Sequence, residues 1–347
     1  MAKINMEETE GMMNFTLVTQ SYGSASERRR AIFAIWSFYA RPGIIDSKIR
    51  CLIFTDDPGQ FEEYCKELPL DFVLLTPEKL VAFRGEIDFV HRVKIAVIAE
   101  AFNRVAGNVL YVDSDIFFTG DPLRYARLLS GTQCFMHKYE YRLHEMKNFP
   151  VPALQSFRDL HVFMNSRTFR LADGELQIPM DQVSWNAGVI FMHRELVKHL
   201  NDVFALTDQF YKGVVNHGCE QFAFSIVLDK YSHVDNCEDL VYHYWLPVRK
   251  PIADGFLADK VTESWAKLPV DSKLRSVTKW VSQFPDYIEK DFMMLRYNAI
   301  QAFFGDNFGT GIRYALRAWM RRPFNGRFII DIGYHILRHA GFKTGTK

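Results

Sequence analysis

The sequence predicts an α/β fold with a mostly parallel sheet that carries helices on both faces. Apolar runs typical of strands recur along the first 75 residues, and segments with apolar residues at helical spacing lie between them. A further apolar run, residues 109–112, leads directly into the acidic triplet Asp113, Ser114 and Asp115. Because a sheet built from repeated strand and helix binds ligands at the carboxyl ends of its strands, the triplet marks a predicted site.

Three strands are predicted before the acidic triplet. They correspond to FTLVTQSYG from Phe15, RCLIFTDDPG from Arg50 and DFVLLTP from Asp71, each of which is short, apolar and closed by glycine or proline. A helix is predicted between the first two strands, since apolar residues recur there at helical spacing. Those residues are Ile32, Ile35, Trp36 and Tyr39. Asp56, in the acidic pair that ends the second strand, is predicted to bind the cofactor.

Asp88 is predicted to cap a helix that precedes the acidic triplet. His91, Arg92 and Lys94 fall in the first turns of this helix, where the partial positive charge of the helix end disfavours cations. A bound phosphate would remove that penalty, so the three residues indicate an anionic ligand nearby. In the alternative, Arg92 and Lys94 extend to solvent or pair with Glu86 or Asp88.

The second half of the chain begins with a less regular region. Residues 134–179 are aromatic and basic, and we expect them to shape one side of the site. VSWNAGVIFMHRE then predicts a strand, HGCEQFAFSIVLDKY a helix, and DLVYHYWLPVRKP a strand that leaves the sheet at Pro247. Past Pro251 the chain is predicted to be helical and basic. From residue 313 onward, the basic residues are Arg313, Arg317, Arg321, Arg322, Arg327, Arg338, Lys343 and Lys347, against Asp331 alone among acidic residues.

Composition narrows the functional classes. The chain has 347 residues, 48% hydrophobic and 24% charged, which is typical of a soluble globular protein of one large or two modest domains. A net charge of +1 gives no general reason to expect nucleic-acid binding. Five scattered cysteines without C-x-x-C spacing favour a reducing compartment. The first residues are acidic and lack an apolar run, so we expect a cytoplasmic protein without a signal peptide.

The acidic triplet predicts a metal site. Alternating side-chain directions bring Asp113 and Asp115 to one side of the extended backbone, where the two carboxylates repel each other unless a cation lies between them. Mn²⁺ or Mg²⁺ beside a diphosphate suits such hard oxygen ligands. His243 from a neighbouring strand end would complete the ligand set, and Lys250 would reach the diphosphate. The alternative for His243 is a core histidine bonded to the backbone.

Taken together, these motifs resemble those of the GT-A fold glycosyltransferases, and within them the retaining family 8 type that includes glycogenin and lipopolysaccharide galactosyltransferases. The resemblance covers roughly the first 250 residues and implies a Rossmann-like mixed sheet. It assigns Asp113, Asp115 and His243 to the metal. The remaining residues that it implies are Thr19, Gln20 and Tyr22 at the nucleotide base, Lys94, Ser114, Gly188 and Lys250 in donor binding, and Glu220, Gln221 and Asn186 at the reacting sugar.

The resemblance implies a metal-dependent hexosyltransferase that moves a sugar from a nucleotide diphosphate donor, expected to be a UDP-sugar, to a glycan, lipid-linked or protein acceptor with retention. Arg92 is expected to share the charge of the leaving diphosphate. Two alternatives remain. A haloacid dehalogenase-type phosphohydrolase also places D-x-D after a strand, and a catalytically inactive module could keep the fold while binding nucleotide or glycan.

Two regions are predicted within the chain. Residues 1–255 would form the catalytic domain, and residues 256–347 a helical, basic carboxyl-terminal extension. Arginine mixed with Trp, Phe and Ile at helical spacing suits an amphipathic helix on anionic lipid, which would make the protein peripheral on the inner face of a membrane. Core packing with a solvated basic face is the alternative.

Overall fold

A computed structural model describes residues 14–47 and 49–339 of the chain. Thirteen strands are present among these residues. They are β1 (Phe15–Ser21), β2 (Cys51–Thr55), β3 (Leu70–Leu74), β4 (Asn108–Val112), β5 (Ile116–Phe118), β6 (Gln133–Met136), β7 (Tyr139–Arg142), β8 (Thr168–Leu171), β9 (Gly174–Gln177), β10 (Val183–Trp185), β11 (Val189–Met192), β12 (His233–Asn236) and β13 (Val241–His243).

The helices flank these strands and then continue alone to the end of the described chain. They are α1 (Ala25–Tyr39), α2 (Pro58–Cys65), α3 (Pro77–Arg84), α4 (Arg92–Arg104), α5 (Pro122–Leu128), α6 (Gln155–Asn165), α7 (Leu200–Gly213), α8 (Cys219–Tyr231), α9 (Arg249–Lys260), α10 (Glu263–Ala266), α11 (Val270–Glu289), α12 (Phe292–Phe304), α13 (Phe308–Arg321) and α14 (Gly326–His339).

Seven strands form the central sheet in the order β12-β6-β11-β4-β1-β2-β3. All neighbouring pairs are parallel except the two made by β11, which runs antiparallel to both β4 and β6. The predicted mixed, mostly parallel sheet is therefore confirmed. Every residue of β2 and β4 is buried, and because successive side chains point to opposite faces, both faces of the sheet are covered.

Helix α1 forms where the apolar spacing predicts it. Its N-cap Ser24 accepts a hydrogen bond from the Glu27 backbone N–H, and the whole second half of the helix is buried against the sheet. Trp36 is fully buried, and its indole N–H donates to the Tyr64 carbonyl oxygen at 3.1 Å. Burial of this apolar face stabilises the helix far more than its intrinsic propensity does.

The predicted cap at Asp88 is wrong. Asp88 lies in a turn with φ at 47°, and helix α4 begins four residues later at Arg92 with His91 as its N-cap residue. Gly85, at φ 67°, ends the preceding helix α3 in a left-handed conformation that glycine adopts without strain. The segment between Gly85 and His91 is thus a connection between two helices, so the helix that carries Lys94 starts later than the sequence indicates.

The carboxyl-terminal helices differ in how they pack. Residues of α9 to α11, including Phe256, Trp280 and Phe284, belong to the main hydrophobic core, so this core continues well past residue 255. A second, small cluster begins at α12. It consists of Phe292, Leu295, Ala299, Ala315, Ala318 and Phe328. Within the described residues, no helix combines the length and the apolar character needed to cross a bilayer. Lys343, Lys347 and the side chain of Arg338 lie outside the described part of the chain.

Candidate active site

The acidic triplet lies at the carboxyl end of β4, in the middle of the sheet. The Asp113 backbone N–H donates to the Gly188 carbonyl oxygen at 2.9 Å, which ties the triplet to the turn before β11. The Tyr244 backbone N–H donates to the Asp115 carbonyl oxygen at 3.1 Å, which ties it to the segment after β13. The triplet is therefore held from both sides by backbone hydrogen bonds.

Asp113, Asp115 and His243 come together as one group. Their ligand atoms all lie within 4.8 Å of one another. The antiparallel pairing of β13 with β5 sets His243 opposite Ile116, so the imidazole Nε2 lies 3.3 Å from an Asp115 carboxylate oxygen. Two carboxylates and one imidazole form a ligand set that suits Mn²⁺, and Mg²⁺ less closely.

Gly188 makes this arrangement sterically possible. A Cβ atom added to Gly188 would lie 2.2 Å from Cε1 of His243, which is far inside van der Waals contact. The imidazole thus packs directly on the glycine backbone. The sequence places Gly188 at the donor sugar by resemblance, and the contact with His243 is a second role that no local pattern indicates.

Lys94 neutralises the Asp113 side of the group. It is 5% exposed, and its Nζ lies 3.2 Å from an Asp113 carboxylate oxygen, 3.4 Å from a Glu220 oxygen and 3.0 Å from the Ala187 carbonyl oxygen. Burial acts to lower the pKa of Lys94, but the two carboxylates outweigh it and raise the pKa above its ordinary value. Lys94 is therefore a buried cation shared between two acids.

Asp115 is neutralised by other partners. Lys250 Nζ lies 2.8 Å from one carboxylate oxygen of Asp115, and His243 contacts the other. Burial acts to raise the pKa of Asp115, but His243 and Lys250 outweigh it and hold the pKa well below its usual range. The two aspartates therefore each carry a cationic partner of their own, from opposite sides of the triplet.

Glu220 and Gln221 lie in the first turn of α8, close to Asn186 in the turn before β11. Glu220 is 4% exposed, and its Oε2 is buried without a hydrogen-bond partner among the described residues. The side-chain amide of Gln221 donates to Glu140 at 2.7 Å, and that of Asn186 donates to the other Glu140 oxygen at 2.9 Å. Glu140 on β7 thus joins the two amides that the sequence assigns to the reacting sugar.

Glu140 and His137 are site residues that sequence reasoning missed. The His137 Nδ1 lies 3.2 Å from the Asn186 side-chain oxygen and 3.4 Å from Nδ1 of His243. Burial, reinforced by the neighbouring His243, lowers the pKa of His137 to about 3, so the ring is neutral and supports His243 by contact rather than by charge. Both residues lie in the irregular region after β6, where no periodic pattern marks them.

A polar network beneath the triplet was also missed. The Ser114 hydroxyl donates to Glu27 at 2.8 Å, and Glu27 accepts from Arg30 at 2.6 Å. Arg30 in turn makes two hydrogen bonds to Asp254, at 2.7 and 2.8 Å. This chain of charged contacts links the triplet through α1 to α9, and so fixes Ser114 relative to the rest of the core.

These groups line a cleft of about 1000 Å³. Gln20 and Tyr22 lie at the carboxyl end of β1, and in the strand order β4, which carries the acidic triplet, separates β1 from β11 and β6. The predicted site residues that line the cleft are Gln20, Tyr22, Lys94, Asp113, Ser114, Asp115, Asn186, Gly188, Glu220, Gln221, His243 and Lys250.

Three predicted residues do not line the cleft. Arg92 makes an ion pair with Asp208 at 2.8 Å and donates to the Phe83 carbonyl oxygen at 3.0 Å, so it braces α4 against α7 and α3. Thr19 is fully buried within β1. Asp56 accepts from the Gly23 backbone N–H and from Arg28, both at 2.9 Å, which fixes the turn after β1. The interpretation of Arg92 as a phosphate-facing cation is therefore corrected to a structural one.

Solved structures similar to this chain include two glycosyltransferases. The galactosyltransferase LgtC in complex with donor and acceptor sugar analogues has 13% sequence identity and a TM-score of 0.48, covering 76% of this chain and 99% of LgtC. The glycosyltransferase GlyE of Streptococcus pneumoniae TIGR4 has 13% identity and a TM-score of 0.42, covering 77% of this chain and 63% of the GlyE chain.

No protein-family model matches the sequence, and no curated protein matches it either.

Proposed function

We propose that the chain is a metal-dependent glycosyltransferase that uses a nucleoside diphosphate sugar, with uridine as the base. The observation that carries the proposal is the group formed by Asp113, Asp115 and His243, whose ligand atoms lie within 4.8 Å of one another at the carboxyl end of a central strand. A bound Mn²⁺ or Mg²⁺ would neutralise charge on the departing diphosphate. The chain supplies the ligands for that cation and a cleft large enough for a nucleotide sugar.

Lys250 supports diphosphate binding beside the metal ligands. Its ammonium group lies 2.8 Å from Asp115, and its side chain is 37% exposed to the cleft, so it can turn toward a ligand while it stays near the site. Gln20 and Tyr22 lie at the end of the neighbouring strand β1 and would bind the nucleoside. This order of groups along the cleft follows the order of base, diphosphate and sugar in the donor.

The sugar would lie over Asn186, Glu220 and Gln221. The amides of Asn186 and Gln221 are held by Glu140, which fixes their orientation before a ligand arrives. Glu220 lines the cleft beside its ion pair with Lys94, and its carboxylate would stabilise positive charge at the anomeric carbon. A retaining outcome, which the resemblance implies, is part of the proposal, and NMR of the anomeric configuration of the product tests it.

Two measurements test the proposed function. Thermal unfolding is followed with UDP, GDP and ADP, each with and without Mn²⁺, and we expect a stabilisation by UDP that requires the metal. Release of UDP from UDP-hexoses is then measured for the wild type and Asp113→Asn. We expect a loss of roughly a thousandfold in the variant, because a metal ligand is removed from the charge-stabilising site.

Asp286→Asn is the matched control, since Asp286 is a surface aspartate whose side chain is 74% exposed. It should leave both measurements unchanged. Turnover that resists a chelator would contradict the metal role. Phosphate release from a phosphomonoester would indicate the phosphohydrolase instead, and metal-dependent UDP binding without sugar consumption would indicate a binding module.

We also propose that α13 and α14 rest on an anionic membrane surface. The two helices expose large apolar side chains around an apolar groove of about 450 Å³. Those more than 40% exposed include Leu316, Trp319, Met320, Phe324, Ile329, Ile330 and Leu337. Residues 313–327 contain five arginines, all exposed, and no acidic residue. Apolar and aromatic side chains flanked by arginines suit the interface of a bilayer with anionic lipid, such as the cytoplasmic leaflet.

Co-sedimentation with vesicles tests the membrane contact. We expect the wild type to bind vesicles of phosphatidylcholine with 30% phosphatidylglycerol, on the order of tenfold more tightly than vesicles of phosphatidylcholine alone. The double variant Trp319→Ser, Phe324→Ser should lose most of this binding, because it removes two exposed aromatic side chains. Val162→Ser, at an exposed apolar position on α6, is the control. Equal binding to both vesicle types would contradict the proposal.

A further inference from the structure

The cleft continues past the candidate sugar-binding residues into a row of aromatic rings, named here the aromatic wall and formed by Tyr141, Phe149, Phe157 and His217. Successive rings are in edge-to-face contact. The ring centroids are 4.9 Å apart for Tyr141 and Phe149, 5.9 Å for Phe149 and Phe157, and 5.2 Å for Phe157 and His217. The wall is therefore one continuous surface of aromatic rings rather than a set of isolated side chains.

The aromatic wall is held in place before any ligand arrives. Asn216 is 2% exposed and links the two parts of the wall, since its amide donates to the Ser156 hydroxyl at 3.0 Å and its side-chain oxygen accepts from the Gly218 backbone N–H at 2.8 Å. Phe157 also packs against Phe222 on α8, with centroids 6.3 Å apart. Side chains supported in this way lose little conformational freedom when a ligand packs on them.

The position of the wall separates it from the nucleoside end. Strands β1 and β6 lie on opposite sides of β4 in the sheet, and the wall is carried by β7 and α6, which follow β6, and by the turn before α8. Gln20 and Tyr22, the candidate nucleoside contacts, follow β1. Glu220 and Gln221 stand two to four residues after His217 and Gly218, so the wall begins where the donor sugar is proposed to end.

We propose that the aromatic wall is the acceptor subsite and that it binds an uncharged pyranoside. The C–H face of a pyranose packs well on aromatic rings, while its hydroxyl groups need polar partners at the edge. The carboxylate of Glu140, next to Tyr141 on β7, lines the same cleft and can accept hydroxyl groups in addition to its two amide contacts. Because Glu140 makes no ion pair with the described residues, its carboxylate would repel an anionic acceptor. This inference rests on the proposed function, since it names the second substrate of the same site.

Saturation-transfer NMR with methyl β-glycosides of galactose, glucose and mannose tests the proposal, with UDP and Mn²⁺ present. We expect saturation of the pyranose ring protons for at least one glycoside and none for methyl glucuronide. Phe157→Leu should weaken that binding by roughly fivefold, the scale of one aromatic contact. Val162→Leu, at an exposed position on the same helix α6, should leave it unchanged.

A second ligand, octyl glucoside below its critical micelle concentration, tests whether the aromatic wall binds a hydrocarbon chain instead of a sugar. Saturation of the octyl chain instead of the sugar ring would show that the wall binds a hydrocarbon, and would overturn the proposal. Binding that is equal in the wild type and Phe157→Leu would overturn it too. Donor hydrolysis to UDP and free sugar separates this failure from that of the proposed function, because hydrolysis needs the metal group but not the aromatic wall. Thermal unfolding of each variant verifies that it folds.

Discussion

The floor of the cleft and the last two helices depart from the usual distribution of side chains in opposite directions. The cleft buries ionised groups, since Lys94, Asp115 and Glu220 are each no more than 5% exposed. Helices α13 and α14 do the reverse and leave apolar side chains in water, with Phe324 97% exposed. Burying a charge costs free energy of folding, and leaving an apolar face in water gains none, so each arrangement indicates a function other than stability.

The two regions differ in where the partners of these side chains come from. In the cleft, each charge has a partner from the chain itself, often far away in sequence, as for Lys94 with Glu220 and Asp115 with Lys250. On the terminal helices, the described residues leave the apolar face uncovered, and the partner that we propose for it is a membrane surface. Mutations in the cleft should therefore change the free energy of unfolding, whereas mutations of the exposed apolar side chains should change it little.

The largest effect on stability is expected for Lys94→Met. This substitution leaves the buried Glu220 and the partly exposed Asp113 without their shared cation, and we expect the free energy of unfolding to fall by about 3 kcal/mol. Urea unfolding at neutral pH in the presence of a chelator measures it. Lys79→Met is the control, because the Lys79–Glu100 pair is partly exposed and its loss should cost less than about 1 kcal/mol. Equal losses of stability in the two variants would show that burial in the cleft does not increase the cost of removing Lys94.

A smaller loss is expected for Gly188→Ala. The added methyl group would lie 2.2 Å from His243, so the imidazole or the backbone must shift, and we expect a loss of about 2 kcal/mol together with weaker Mn²⁺-dependent binding of UDP. Gly255→Ala is the matched control for Gly188→Ala. A Cβ at Gly255 meets nothing within 4 Å, and replacing glycine in a helix removes conformational freedom from the unfolded chain, so stability should rise by about 0.5 kcal/mol. If both variants behaved alike, the close packing of His243 on Gly188 would be excluded.

The sequence could predict those features that depend on local residue patterns. The strand before Asp113 has a local signal, because an apolar run must be buried and its end is marked by the acidic residues. The order of strands and helices around it follows from similar local periodicity. The cap at Asp88 failed because a capping residue type is not sufficient: the helix begins at Arg92, where the ion pair to Asp208, 116 residues later, holds its first turn.

The missed residues of the candidate site have no local signal. Glu27 is recognisable from the sequence only as an acidic residue in the first turn of α1. Its contact with Ser114 spans 87 residues. Glu140 meets Asn186 only because β7 pairs with β10. His137 looks like any buried histidine until β13 brings His243 beside it. Tertiary contacts of this kind are set by the pairing of distant strands, which residue spacing does not encode.

The smallest effect is expected for Phe324→Ser, and it sharpens the comparison most directly. Phe324 is almost fully exposed, so its removal should change the free energy of unfolding in solution by less than about 0.5 kcal/mol. Leu295→Ala, in the small cluster beneath the same helices, is the matched change and should cost about 2 kcal/mol. Urea unfolding without vesicles compares the two. If Phe324→Ser cost as much as Leu295→Ala, the exposed ring would be part of the folded core and no outside surface would be needed to explain it. If only Leu295→Ala is costly, the apolar face contributes nothing to folding and is available to an outside surface.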